Sequence, residues 1–146
     1  MGIHTAIETN GFIGADLTDA DLDNIDLMLL GIKTFDRERH KALTGRDNDP
    51  TPELARRLAA RKQPIWVRFV LVPGLTDDMG DISQIAAFAA KLGNVQRVEV
   101  PAFHQMGRFK WHTLGIRYAL EQTEPPSADA LEKVCGIFRA QGLRAH

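Results

Sequence analysis

The segment Glu8-Thr9-Asn10-Gly11 places a carboxylate and a hydroxyl directly before a turn-forming pair. Two such oxygen groups on one short stretch of backbone suit a cation or a polar ligand. Asn-Gly also makes a turn with no ligand at all, because both residues tolerate left-handed backbone. Arg68 is the second position of interest. It interrupts the apolar run 65–72, where an unpaired guanidinium costs several kcal/mol and therefore demands a partner or water. Glu99, in the middle of the run 96–100, is one partner and would make Arg68 structural. The other reading is an arginine whose fork reaches a bound carboxylate. Lys33 closes the run 27–33, and His104 stands just beyond the last apolar run. A lysine there often marks only the point where a strand meets water.

Other chemistries find no footing. The histidines His4, His40, His104, His112 and His146 show none of the close pairings of zinc sites, so a protein-only metal centre is not expected. Cys135 lies on the apolar side of a helical pattern with no basic neighbour on that side, and reads as a small core hydrophobe rather than a nucleophile. The sequence has no Walker loop, no G-x-G-x-x-G and no Ser-His-Asp spacing.

These groups need elements to hold them. Strand character appears at 3–8, 27–33, 65–72 and 96–100, and three of these are nearly continuous in apolar residues, as parallel strands covered on both faces are. Between them the punctuation is helical. Thr51 is expected as an N-cap with Pro52 first in the helix and Leu54 and Leu58 inward, ending near Gln63. Asp77 or Asp78 opens a helix with Ile82, Ile85, Ala89 and Leu92 on one side, stopped at Gly93. Ser127 opens the last helix, striped by Leu131, Val134, Cys135 and Phe138 and stopped at Gly142. A short helix is expected from Thr18, carrying Leu22 and Ile25 inward. Strands alternating with helices predict an α/β fold with a parallel sheet, open or part of a barrel, with ligands at the C-terminal ends of the strands. Those ends are Glu8 to Gly11, Gly31 to Lys33, Val72 to Gly74, and Phe103-His104.

With 146 residues and 44% apolar content, the chain is expected to form a single domain, 1–146. Eighteen basic side chains against nineteen acidic ones give no electrostatic reason to expect a nucleic acid or a polyanionic membrane as partner. One cysteine makes no intramolecular disulfide, no leader pattern is present, and no apolar run approaches the roughly 20 residues of a spanning helix. A cytoplasmic protein is expected.

The segments G-I-H-T-A-I-E-T-N-G, D-L-M-L-L-G-I-K, H-K-A-L-T-G, V-R-F-V-L-V-P-G-L-T-D-D, G-N-V-Q-R-V-E-V and F-H-Q-M-G-R-F-K-W, taken in order and at near-constant spacing, resemble the pyruvate formate-lyase activating enzyme family from its third core strand onward. The resemblance implies the C-terminal part of a radical S-adenosylmethionine (SAM) core, a six-stranded partial barrel of which about four strands are matched here. It implies an activase that makes a glycyl radical on pyruvate formate-lyase or a related enzyme by SAM-derived hydrogen abstraction. Lys33, Arg68 and His104 fall at positions that line the family's SAM pocket. Glu8 and Thr9 match an Asp-Thr pair that helps hold a monovalent cation, and Gly31 stands where the family has a second carboxylate of that site.

The family's three-cysteine loop precedes the region matched. A four-iron four-sulfur cluster needs several protein thiolates, so no cluster is expected on this chain and the chain alone is expected to be inert. The alternatives are a non-catalytic docking module for a glycyl-radical enzyme, using the basic loop 107–111, or a truncated remnant. An uncovered edge on strand 3–8 predicts self-association or pairing with an N-terminal complementing piece.

Overall fold

A computed structural model describes residues 2–146. In chain order the elements are β1 (Ala6–Thr9), a 3-10 turn (Gly14–Asp16), α1 (Asp19–Leu22), β2 (Leu27–Gly31), α2 (Arg37–Thr44), α3 (Pro50–Ala60), β3 (Ile65–Arg68), α4 (Met79–Leu92), β4 (Val95–Glu99), α5 (Arg108–Thr113) and α6 (Ala128–Ala140). The four strands form one parallel sheet in the order β1-β2-β3-β4. This is the expected α/β class, a segment of partial barrel.

Local chemistry explains most helix starts. Thr18 accepts the Asp21 N–H while the Asp21 carboxylate accepts the Thr18 N–H, a reciprocal cap. Asp78 accepts the Asp81 N–H at the head of α4, and Ser127 accepts the Ala130 N–H at the head of α6. Gly93 ends α4 at φ 73°, a conformation that costs glycine nothing.

The expectation at Thr51 is corrected. Helix α3 starts at Pro50, after Asp49, and Thr51 lies inside the first turn. Its hydroxyl instead donates to the Asn10 carbonyl at 2.5 Å, tying α3 to the turn after β1. Pro50 fits the first helical position as well as Pro52 does, since the missing N–H would be unpaired there anyway. Two helices went unforeseen: α2, capped by Asp36 through the Arg39 N–H, and α5, which replaces the expected basic loop at 107–111.

The strands are shorter than predicted and only one face of the sheet is packed. Along β3, Ile65 and Val67 are fully buried, as is Phe69 just beyond it, while Trp66, Arg68 and Val70 are half-exposed. The buried set meets α3, α4 and α6 in a core that includes Leu54, Leu58, Ile82, Ile85, Val134 and Phe138. Each such side chain contributes about 1.5–3 kcal/mol by leaving water. Coverage of both faces, expected from the apolar runs, is not what the sheet has. The second face carries Glu8, Arg68, Arg97 and Glu99, and no helix can bury such a layer cheaply.

The two sheet edges differ. Beyond β4, the Val98 N–H donates to the Arg144 carbonyl at 2.8 Å and the Val100 N–H to the His146 carbonyl at 2.9 Å, so the C-terminal residues cover that edge. Among the described residues, β1 pairs only with β2.

Candidate functional site: the polar end of the open sheet face

Register builds the site. Gly31 pairs with Arg68, and Arg68 with Glu99, so three neighbouring strands bring their ends to one level. The Arg68 Nη1 donates to Glu8 Oε1 at 2.6 Å, and its Nε lies 3.1 Å from Glu99 Oε2. The Nε contact is ionic and lacks the alignment of a hydrogen bond. Arg97 lies 3.5 Å from the other Glu99 oxygen and its guanidinium stacks on the Trp66 ring at 4.6 Å. Arg68 is therefore held between two carboxylates. The expected partner Glu99 is present, and Glu8 is a second one that sequence reasoning assigned elsewhere.

Lys33 lies two residues past β2, on a loop rather than at the strand's last position. Pairing continues one step further, since the Ile32 N–H donates to the Arg68 carbonyl at 3.0 Å. The Lys33 ammonium turns back over the sheet: it lies 3.7 Å from where a Cβ on Gly31 would stand, and the Thr9 carbonyl lies 3.6 Å from the same point. Among the described residues, Lys33 makes no ion pair, unlike Arg68. It is the cation at this end best able to accept an anionic ligand group.

Glu8 and Thr9 are adjacent as the sequence has them, but both are already engaged. Glu8 is paired with Arg68, and the Thr9 hydroxyl accepts the Gly11 N–H at 3.0 Å in the following turn. Among the described residues, no group of three or more His, Cys, Asp or Glu side chains is arranged to hold a metal ion. His104 is exposed, beyond the short bridge Leu71–Ala102 that prolongs the β3–β4 pairing. Its Nδ1 accepts the Met106 N–H at 3.4 Å, and among the described residues it makes no hydrogen bond or ion pair with Glu8, Arg68 or Glu99.

Two residues that support the site were not foreseen. Asp81 and Asn48, both nearly fully buried, reach from α4 and from the loop before α3 onto the backbone that follows Lys33. A polar residue on the inward side of a helix, as Asp81 is in α4, was the available signal.

The sequence itself has close relatives. Pyruvate formate-lyase 1-activating enzyme of Escherichia coli (strain K12) is 36% identical over 143 residues, covering 97% of this chain and 58% of its own length. Pyruvate formate-lyase-activating enzyme of Staphylococcus epidermidis is 40% identical over 138 residues, covering 90% of this chain and 55% of its own length. The chain is homologous to the C-terminal part of the pyruvate formate-lyase activating enzymes. It spans a little over half the length of these activating enzymes.

No family model matches it. The crystal structure of a domain of pyruvate-formate lyase-activating enzyme from Bacteroides vulgatus superposes with a TM-score of 0.77 at 21% identity, over 99% of this chain and 80% of that one. A radical SAM methyltransferase from Sphaerobacter thermophilus superposes at 0.70 with 13% identity, over 97% of this chain and 39% of that one. These two likenesses show the fold alone, a parallel α/β arrangement that both neighbours share.

The residues present do not fit an iron–sulfur cluster. Cys135 is the sequence's one cysteine. It is buried in the core side of α6, where burial pushes its thiol up and away from the thiolate that iron requires. Among the described residues, no helix is long and apolar enough to cross a membrane.

Proposed function

We propose that this chain is the SAM-carboxylate-binding part of a radical SAM activase whose target is pyruvate formate-lyase or a related glycyl-radical enzyme. Similarity to the curated activating enzymes along nearly the whole chain supports the class. The Lys33 ammonium, which makes no ion pair among the described residues, stands beside an Arg68 held by two carboxylates and supports the chemistry.

In this reading Lys33 holds the carboxylate of SAM and His104 meets its nucleoside end. Arg68 contributes less charge than its type implies, because Glu8 and Glu99 already oppose it. In a monovalent-cation site Glu8 would use its second oxygen and Thr9 its second lone pair, with Arg68 already offsetting the Glu8 charge. SAM supplies the adenosyl group from which, in the activases, a hydrogen-abstracting radical is made. Because a single buried thiol cannot ligate a cluster, the 146-residue chain is inert by itself and works, if complemented, with cluster ligands from another polypeptide segment. A cytoplasmic location belongs to the same proposal.

Calorimetric titration of SAM into the chain, in sodium and in potassium buffers, tests the reading. Saturable heat whose affinity falls well over tenfold in Lys33→Ala, yet stays measurable, and falls less in His104→Ala is the expected result. No heat from the unaltered chain would sink it. Reductive SAM cleavage above a no-protein control would overturn the claim of inertness.

A second reading, a non-catalytic docking module, is favoured by one observation. Around α5, Met106, Phe109, Leu114 and Ile116 are all more than half exposed, with the cations Arg108 and Lys110 among them. Binding to a glycyl-radical enzyme that survives Lys33→Ala and fails in Phe109→Ser would favour this reading over the first. The free edge of β1 adds a further element to both readings: pairing with a second copy or with a complementing segment.

A further inference from the structure

The loop 33–36, between β2 and α2, carries Lys33, and its backbone polar groups are taken up by two buried side chains from distant parts of the chain. The Asp81 Oδ1 accepts the Phe35 N–H at 2.9 Å and the Asp36 N–H at 2.8 Å. The Asn48 Nδ2 donates to the Thr34 carbonyl at 3.2 Å and the Phe35 carbonyl at 2.9 Å. Asp81 is 5% exposed and Asn48 is 6% exposed. A carboxylate this deeply buried is costly without donors, and two backbone N–H groups are the donors it has found. The Phe35 ring packs on Phe88 of α4 at 5.3 Å, and the Ile32 N–H binds the Arg68 carbonyl on the other side of Lys33. Residues 32 and 34–36 are thus fixed, and Lys33 lies between two anchored points.

We infer that Asp81 and Asn48 are positioning residues, which fix the loop so that the Lys33 ammonium stands over Gly31 ready to receive an anionic group. The inference rests on the reading of Lys33 as the contact for the SAM carboxylate. A long lysine on a free loop would lose loop and side-chain entropy on each binding event; an anchored loop has lost part of it on folding. Asp81 and Asn48 act through Lys33 and need not touch the ligand.

A double-mutant cycle read by SAM titration tests this. Asp81→Ala is expected to weaken SAM about tenfold, whereas the Asp81→Ala/Lys33→Ala double variant binds no more weakly than Lys33→Ala alone. Asp81→Asn, which keeps an oxygen acceptor in place, is expected to retain most of the affinity. Amide exchange runs alongside: in Asp81→Ala, the Phe35 and Asp36 amides and the Ile32 amide beside Lys33 should exchange about tenfold faster while Leu30 and Val67 stay protected. If Asp81→Ala costs as much in the Lys33→Ala background as alone, or costs nothing, the inference fails. Should the unaltered chain not bind SAM, the functional reading falls on that result. The positioning of Lys33 is then judged on exchange alone, standing if the three amides accelerate and falling if they do not. Asn48→Ala gives the same readouts from the carbonyl side if Asp81→Ala does not fold.

Discussion

Arg68 reaches Glu8 at 2.6 Å although a whole strand, β2, lies between the strands that carry them. Neighbouring strands lie about 4.8 Å apart, so the pair bridges roughly twice that spacing, over the β2 residue registered against Arg68. That residue is Gly31. The absence of a side chain there leaves room for the Lys33 ammonium, 3.7 Å from where a Cβ would stand.

Substitution of Gly31 is therefore expected to act on the charges above it rather than on the fold. A Cβ at Gly31 meets only ordinary contacts at 3.6 and 3.7 Å, so Gly31→Ala should change stability by less than about 1 kcal/mol. Gly31→Asp brings a carboxylate next to Lys33 and should weaken SAM binding about tenfold with little loss of melting temperature. Titration calorimetry and thermal denaturation of both variants check this. Unchanged affinity in Gly31→Asp would show that Lys33 does not carry the anion contact.

Glu8→Gln tests the other side of the same arrangement. The pair is partly exposed, so its loss should cost less than about 1 kcal/mol. Freed of one carboxylate, Arg68 is expected to bind an anion more strongly, and SAM affinity should rise severalfold with a steeper dependence on salt. A fall in affinity would mean that Glu8 contacts the ligand side directly.

Much of this was legible in the residues. The caps at Thr18, Asp78 and Ser127 and the stop at Gly93 follow from short-range hydrogen bonding, which sequence spacing reports directly. The Arg68–Glu99 pair was legible because a charge in an apolar strand must be answered nearby. Glu8 as Arg68's second partner was not, since it depends on the strand order and register that bring β1 and β3 to either side of β2. Helix α2 was hidden because its sequence, Arg37–Thr44, is polar nearly all round, with only His40 buried. Asp81 was hidden by its place in a helix read for its apolar stripe; that its partners lie in the loop 33–36 is a tertiary fact.

Acid should unfold the chain partly through carboxylates that the fold holds ionised. The hydrogen bond from Arg39 keeps the Asp78 carboxyl below its ordinary value of 3.8, and that from Arg57 does the same for Asp19. A depressed folded value means that the unfolded chain binds protons first as pH falls. Stability from these pairs is thus complete above the ordinary aspartate range and is lost below it, as pH drops through the folded values. Melting temperature measured downward from pH 5 should fall less steeply in Asp78→Asn than in the unaltered chain. Parallel curves would assign acid sensitivity to other groups.

The sheet edge at β1 is the remaining exposed feature with a measurable consequence. Among the described residues nothing pairs with its outer side, Ile7 is 44% exposed and Ile3 is 81% exposed. The opposite edge is closed by Arg144–His146, so the uncovered backbone is confined to β1. Unpaired strand backbone beside exposed apolar side chains is a template for another strand, and a lysine on such an edge discourages pairing by keeping its charge in water. Light scattering over a range of concentrations should therefore give a mass that rises with concentration for the unaltered chain and stays near 16.2 kDa for Ile7→Lys. A monomer mass throughout for the unaltered chain would mean that the edge is not used between copies. If Ile7→Lys associates as strongly as the unaltered chain, association runs through another surface, with the apolar residues around α5 the next to substitute.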